Sequence, residues 1–297
     1  MVYNSGRKVE TMNIRILASE SLGVRSMACV VETTGMKILI DPGTALGPKR
    51  FRLPPHPVEQ ETAQKVQKLL YHELADATHI VITHFHGDHH PMVEADISQL
   101  SAHKVLPFLK NQEILVKSNR GVSRRQKHRR RLLEQLLGKS LIDADNKQFG
   151  ELSFSEPVPH GEPGNKAGTV IMAKLTADNT TFVHGSDIQL LNHQSIEIIS
   201  NWKPDITFIA GPPLYILESQ KNTKDLLESI NQHLARLTSA CGRIILDHHI
   251  MRSRNGEAWL DHMSEMYGKE KICCAADFSQ LPRNLLEANR KGLFINN

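Results

Sequence analysis

Residues 83–90 read Thr-His-Phe-His-Gly-Asp-His-His, which puts four imidazoles and a carboxylate into eight positions. Such a cluster suits metal chemistry, because an ion needs several neutral imidazoles or carboxylates converging from one side. His84 and His86, two positions apart, can point the same way, and Asp88 and His89, one turn later, can face a second ion. The H-x-H-x-D-H string is therefore a two-metal signature. The competing reading, a polar loop that happens to be rich in histidine, is disfavoured by its place directly after an apolar run, where unpaired polar groups are costly.

The element that must position these side chains is His79-Ile80-Val81-Ile82-Thr83, an apolar, β-branched run that reads as a buried parallel strand. Gly87 supplies backbone freedom for the loop that follows. Open α/β sheets place their ligands at the C-terminal ends of strands, where this string stands. Upstream, residues 13–18, 27–32 and 37–40 read as a β-meander, whose third strand ends in Asp41-Pro42-Gly43. Asp41 is expected to accept the free N–H of a ligand imidazole and fix its tautomer; the alternative is a plain Asp-Pro-Gly turn.

The string resembles that of the metallo-β-lactamase superfamily. The resemblance implies further ligands downstream, and candidates stand in order: His160 in Val158-Pro159-His160-Gly161, Asp187 after a strand at 180–183, and Asp247-His248-His249 after a strand at 243–246. It implies His84, His86 and His160 around one ion, Asp88, His89 and His248 around a second, and Asp187 bridging them. His248, the first histidine after its strand, is preferred as the last ligand; His249 is the alternative and otherwise a support behind the ligands. The implied cofactors are two divalent ions, zinc first, with iron or manganese compatible with the same donors. Such ions bring the pKa of water from about 15.7 to about 7, so the implied reaction is attack by a metal-bound hydroxide on a carbonyl carbon or a phosphorus. Asp88 and Asp187 are the catalytic candidates, Asp88 also orienting the water.

Longer stretches at 19–27, 38–43, 46–50, 186–192, 211–213 and 245–249 are similar to an archaeal family of predicted metal-dependent hydrolases of unassigned substrate, over about residues 13–290. That likeness implies the fold, the ligands and an archaeal cytoplasmic origin. It gives no substrate.

The remaining pattern agrees with an α/β chain. Helices are expected at 58–74, 195–201, 223–240, 257–267 and 281–291, and strands at 149–157, 169–175, 180–183, 205–210, 243–246 and 271–275. Strand groups at both ends with helices between and after them suggest an αββα four-layer sandwich. Residues 1–12 read as a polar leader and 13–297 as one domain, since no linker divides them. No apolar run is long enough to span a bilayer. Cys29, Cys241, Cys273 and Cys274 form no C-x-x-C pair and read as small buried hydrophobes in a reducing compartment.

Charge is uneven. Residues 117–131 hold eight Lys and Arg and no acid; without them, 28 basic residues face 32 acidic ones. Ser123 is a candidate N-cap for a cationic helix. Arg124, Arg125, Arg129 and Arg130 form either a solvated face or a phosphate patch for RNA or an anionic substrate. Glu20, Arg25, His90 and Tyr215 lie near strand ends as candidate substrate contacts, while His79, His184 and His193 read as structural. Three functions compete. The first is a metal-dependent hydrolase of a small ester, lactone, thioester or amide, with weak β-lactam hydrolysis. The second is a phosphodiesterase or ribonuclease using the basic segment. The third is a metal-binding redox protein.

Overall fold

A computed structural model describes residues 12–162, 164, 166–217 and 223–295. The expected leader, apart from Met12, lies outside the described residues. The first half contains β1 (Asn13–Ile16), β2 (Cys29–Glu32), β3 (Lys37–Ile40), α1 (Pro57–Asp76), β4 (His79–Ile82), α2 (Ala102–Lys110), β5 (Glu113–Val116), α3 (Arg124–Leu137) and β6 (Ile142–Asp143). Its strands form one sheet in sequence order, antiparallel through β3 and parallel from there to β6.

The second half continues with β7 (Gln148–Phe149), β8 (Leu152–Phe154), β9 (Val158–Pro159), β10 (Thr169–Val170), β11 (Ala173–Ala177), β12 (Thr180–His184), α4 (His193–Trp202), β13 (Ile206–Ile209), α5 (Leu214–Leu217), α6 (Lys224–Ala240), β14 (Arg243–Leu246), α7 (Arg254–Tyr267), β15 (Ile272–Cys273), α8 (Ala275–Phe278) and α9 (Arg290–Ile295). Its sheet runs β15-β14-β13-β12-β11-β8-β7, and β9 and β10 pair as a separate ribbon.

Alternation along the strands builds the layers. In β4, Val81 faces Phe208 and Ile245 between the sheets, whereas Ile80 and Ile82 face Leu70, Val105 and Leu133 of the first helical layer. In β14, Ile245 points inward, and Ile244 and Leu246 meet Ile196, Leu234 and Leu260 of the second helical layer. Strand residues two apart share a face, so each central strand, apolar on both sides, is sandwiched. The result is αββα.

Local signals fixed several boundaries. His56, Pro57 and Glu59 cap α1 with reciprocal side-chain bonds, and Ser123 accepts the Gln126 N–H at the start of α3. The helix expected at 281–291 does not form. Pro282 has no N–H to donate, the Asn284 N–H goes to Ser21 O, and α9 begins only at Arg290. All four cysteines are buried and free. Among the described residues no helix is long and apolar enough to cross a membrane.

Candidate metal centre

Four strand ends converge. β4 delivers residues 83–90, β9 leads into His160, β12 into Asp187 and β14 into His248 and His249. The turns are tight enough to hold non-glycine residues in the left-handed region, at Asp41 (φ 50°), Ser186 (55°) and His248 (69°). Such conformations persist where the surroundings over-determine them, and they gather at functional sites. Gly87 does not have a positive φ, so the expected need for its conformational freedom is not met, and a Cβ there would meet only the movable amide end of Gln99 at 2.7 Å.

Potential ligand atoms fall into three overlapping groups, each with its atoms within 4.8 Å of one another: His84, His86, His160 and Asp187; Asp88, His89 and His248; and Asp187, His248 and His249. His89 Nε2 lies 3.2 Å from Asp187 Oδ1, and His248 Nε2 lies 3.5 Å from both Asp88 Oδ2 and Asp187 Oδ1. His84 Nε2 is 3.5 Å from Asp187 Oδ2. Donors bound at about 2.0–2.1 Å to one tetrahedral ion stand about 3.4 Å apart, so this spacing suits a divalent cation. His84 Nε2, His89 Nε2 and Asp187 Oδ1 are buried without a hydrogen-bond partner. Orphaned polar atoms are expensive in a protein interior, and an ion would satisfy all three.

Electrostatics agree for His84, His86, His249 and the two carboxylates, and set His89 apart. Burial pushes His84 and His249 well below the ordinary imidazole value, and His86 to about 3, leaving neutral donors at pH 7. Burial acts the same way on His89, but the carboxylates of Asp187 and Asp41 outweigh it and hold that ring well above its usual range. Asp88 and Asp187 are held ionised: burial opposes this, and the surrounding histidines prevail.

Supports behind the donors set their tautomers. Asp41 accepts the Thr83 N–H (2.7 Å) and the Thr83 hydroxyl (2.6 Å), and lies 2.8 Å from His89 Nδ1. A carboxylate can only accept there, so Nδ1 carries a proton and Nε2 is the atom that His89 turns to the centre. Glu20 does the same for His248, at 2.6 Å from Nδ1. The Gln189 amide contacts both His160 Nδ1 (3.1 Å) and His249 Nδ1 (3.0 Å). Gln126, on the buried face of α3, lies 3.2 Å from His86 and donates to Ala167 O. His184 bonds Met27 O at 2.9 Å, a structural role.

Gln126, Gln189 and Arg252 escaped the sequence reading. Gln189, two residues past Asp187, and Arg252, four past His248, had only their nearness to ligands as a signal. Gly43 is needed for close approach, since a Cβ there would lie 2.3 Å from the His90 amide nitrogen and 2.6 Å from His89 backbone atoms. Gly43→Ala is therefore expected to displace His89 and weaken metal binding by about 10–100-fold, the usual effect of disturbing ligand supports. Chelator competition checks it, and unchanged affinity would contradict the packing argument.

A cavity of about 470 Å³ opens over His86, Asp88, His160 and Asp187. Of the expected substrate contacts, Arg25 and Tyr215 line it. Glu20 does not: its carboxylate is buried on His248 and Arg252. His90 does not either; its ring packs on Phe85, bonds Pro91 O, and borders a separate cavity of about 240 Å³ with Arg125, His128 and Arg129. The basic segment also divides. Lys117 is buried on Asp145. Arg130 is buried between Asp143 and Glu134 and cannot join a phosphate patch. Arg129 donates to Phe85 O, and Arg124 and Arg125 remain exposed.

Arg25 itself is clamped by Glu287 at 2.5 and 2.6 Å. Burial raises the Glu287 carboxyl, but the Arg25 guanidinium more than offsets it and holds it at about 2. A depressed folded-state pKa stabilises above the ordinary glutamate value of about 4.3, and the contribution disappears as pH falls from there toward 2. Arg25→Met is expected to raise the pH of acid unfolding, followed by circular dichroism; an unmoved midpoint would remove this pair from the acid stability.

The metallo-beta-lactamase superfamily model matches residues 23–89, which end at the histidine motif. A UPF0282 protein of Methanosarcina mazei is 41% identical over 95% of this chain and 92% of its own length. Another, MK0213 of Methanopyrus kandleri, is 35% identical over 95% of this chain and 99% of its own. Among solved structures, Tm1679, described as a metal-dependent hydrolase of the beta-lactamase superfamily, aligns at 13% identity over 89% of this chain and 96% of that one, with a TM-score of 0.47. With relatives of this identity over nearly its whole length, the chain belongs to the UPF0282 family, and its residues 23–89 carry the match to the metallo-beta-lactamase superfamily.

Proposed function

We propose that this protein is a metal-dependent hydrolase of a small ester, lactone, thioester or amide. The observation that carries the reading is the convergence of seven donors, three with orphaned buried atoms, beneath a cavity of small-molecule size that His86, Asp88, His160 and Asp187 border. His84, His86 and His160 would hold one divalent ion, Asp88, His89 and His248 the other, with Asp187 between them and zinc the metal best suited to the donors. Ions bound there supply Lewis acidity toward the scissile carbonyl and lower the pKa of water toward about 7.

The chain's own groups then have separable tasks. Asp88 is the more exposed of the two donor-group carboxylates that border the cavity, its side chain 16% exposed against 2% for Asp187, and held ionised it accepts a hydrogen bond from the attacking water. Tyr215 accepts from Arg252 Nη1 at 3.2 Å, which leaves its own O–H to donate toward a substrate oxygen. Leu191, Pro213, Ile216 and Leu217 form an apolar wall suited to an acyl group, and Lys166 and Arg25 lie at the charged side.

The phosphodiester reading has weaker support. Its exposed arginines, Arg124 and Arg125, are not among the residues around this cavity, and Arg125 and Arg129 border the other one. The deciding experiment screens metal-loaded protein on lactone, thioester, ester, amide and β-lactam panels beside labelled RNA and bis-p-nitrophenyl phosphate, with His86→Ala as control. Metal-dependent turnover confined to carbonyl substrates supports the proposal. Phosphodiester cleavage absent from the control would replace it with the nuclease.

A further inference from the structure

Arg252 stands where one of the donor groups needs room. Its Nη2 lies 2.6 Å from His248 Nε2 and 3.6 Å from Asp88 Oδ2. Glu20 Oε2, 2.6 Å from His248 Nδ1, can only accept, so Nδ1 carries the proton and Nε2 offers a bare lone pair. Nη2 is also 3.3 Å from His248 Nδ1, so the guanidinium cation lies against the ring beside that lone pair, within the space an ion on Nε2 would need. That lone pair is the one that His248 has for an ion.

The arginine is braced in place. Nε bonds Glu20 Oε1 at 2.5 Å, Nη1 donates to Tyr215, and its own carbonyl accepts from Arg50 at 2.9 Å. The residue is 6% exposed. The other donor group meets neutral amides instead of a cation, Gln126 at 3.2 Å from His86 Nε2 and Gln189 at 3.1 Å from His160 Nδ1. Asp187 pairs only with histidines among the described residues, and His84 Nε2 is unpartnered.

We infer that Arg252 competes with the second metal ion for His248, so that the centre fills in order, the His84-His86-His160 position first and the Asp88-His89-His248 position second and more weakly. The inference rests on the metal centre proposed above. For the second ion to bind, Nη2 must leave His248, while the Nε bond to Glu20 can persist. The open direction is the cavity that Arg252 itself lines beside Tyr215. Filling the second position therefore turns an arginine N–H toward the substrate space.

The test is a titration of metal-free protein with Co²⁺, followed by calorimetry and by the visible absorption of the bound ion, with no activity readout. Wild type is expected to bind two ions in two resolved steps. Arg252→Gln is expected to strengthen the second step alone by about 10–100-fold, the worth of one hydrogen bond to a charged group. Arg252→Lys, which keeps the charge beside Glu20 on a shorter reach, should fall between them. Two ions taken up by wild type with equal affinity would overturn the inference and leave the hydrolase proposal standing, and this arm needs no variant to fold. An unchanged second step in a folded Arg252→Gln would also overturn it. Absence of both steps in wild type would instead remove the metal centre, and this inference with it; His86→Ala should abolish the first step.

Discussion

Asp187→Ala is expected to fold with nearly unchanged thermal stability, to lose bound metal, and to lose hydrolytic activity by about 10³-fold or more. Asp187 is 1% exposed, yet every partner of its carboxylate is a histidine of the centre: His84, His89, His160, His248 and His249 all lie within 3.6 Å. No backbone turn or cap depends on it among these contacts. Its removal leaves imidazoles that can stay neutral, and a neutral imidazole costs less in the interior than an unpaired carboxylate. The loss of activity follows from metal chemistry: charge stabilisation worth several kcal/mol, of which about 4 corresponds to about 10³ in rate. Metal analysis, a melting curve and the turnover assay would be run together. Full activity in the variant would sink the metal-site assignment, and collapse of the fold would show that Asp187 is structural. His86→Ala should behave in the same way.

Arg290→Ala is expected to destabilise the protein by about 3–5 kcal/mol, because removing one partner of a buried pair strands the other. For a chain of this size that lowers Tm by roughly 10 °C. Arg290 and Glu59 are both 0% exposed, and the guanidinium meets the two carboxylate oxygens at 2.8 Å each. It also donates to Gly47 O and Leu53 O, tying the 46–53 loop to α1. The double variant Arg290→Met with Glu59→Leu should recover much of the loss, since a well-packed apolar replacement avoids the stranded charge. Recovery will be incomplete, because Glu59 also accepts the His56 N–H at the start of α1. Equal thermal stability of Arg290→Ala and wild type would show that the pair contributes nothing net. Metal affinity serves as the internal control and should not move.

These residues divide what was legible in the sequence from what was not. The candidate donors at 84–89 could be read because they stand at the end of an apolar run, whereas His160, Asp187 and His248 were implied by the resemblance to a known family. A strand fixes its direction and the spacing of its side chains locally, so 79–82 and 243–246 announce both a strand and where its end will point. Asp41 was legible for the same reason, and it does sit on His89. The four-layer arrangement followed from strands apolar on both faces. The Ser123 cap, too, depended on only four consecutive residues.

Pairing across the fold had no such signature. Glu20 was singled out as a substrate contact, but it supports His248, 228 positions away, and Arg252, 232 away. Arg130 was grouped with its basic neighbours, yet its place on α3 turns it inward to Asp143. The helix expected at 281–291 failed because Asn284 and Arg290 bond to Ser21 and Glu59, contacts that outweigh local helical preference. The sequence by itself thus determined which strand ends carry candidate metal donors, through strand periodicity acting over a few residues and a resemblance to a known family. Only the tertiary structure decided which charge faces which. Any of 36 basic residues can pair with any of 32 acidic ones, and the choice is made by the packing of distant elements.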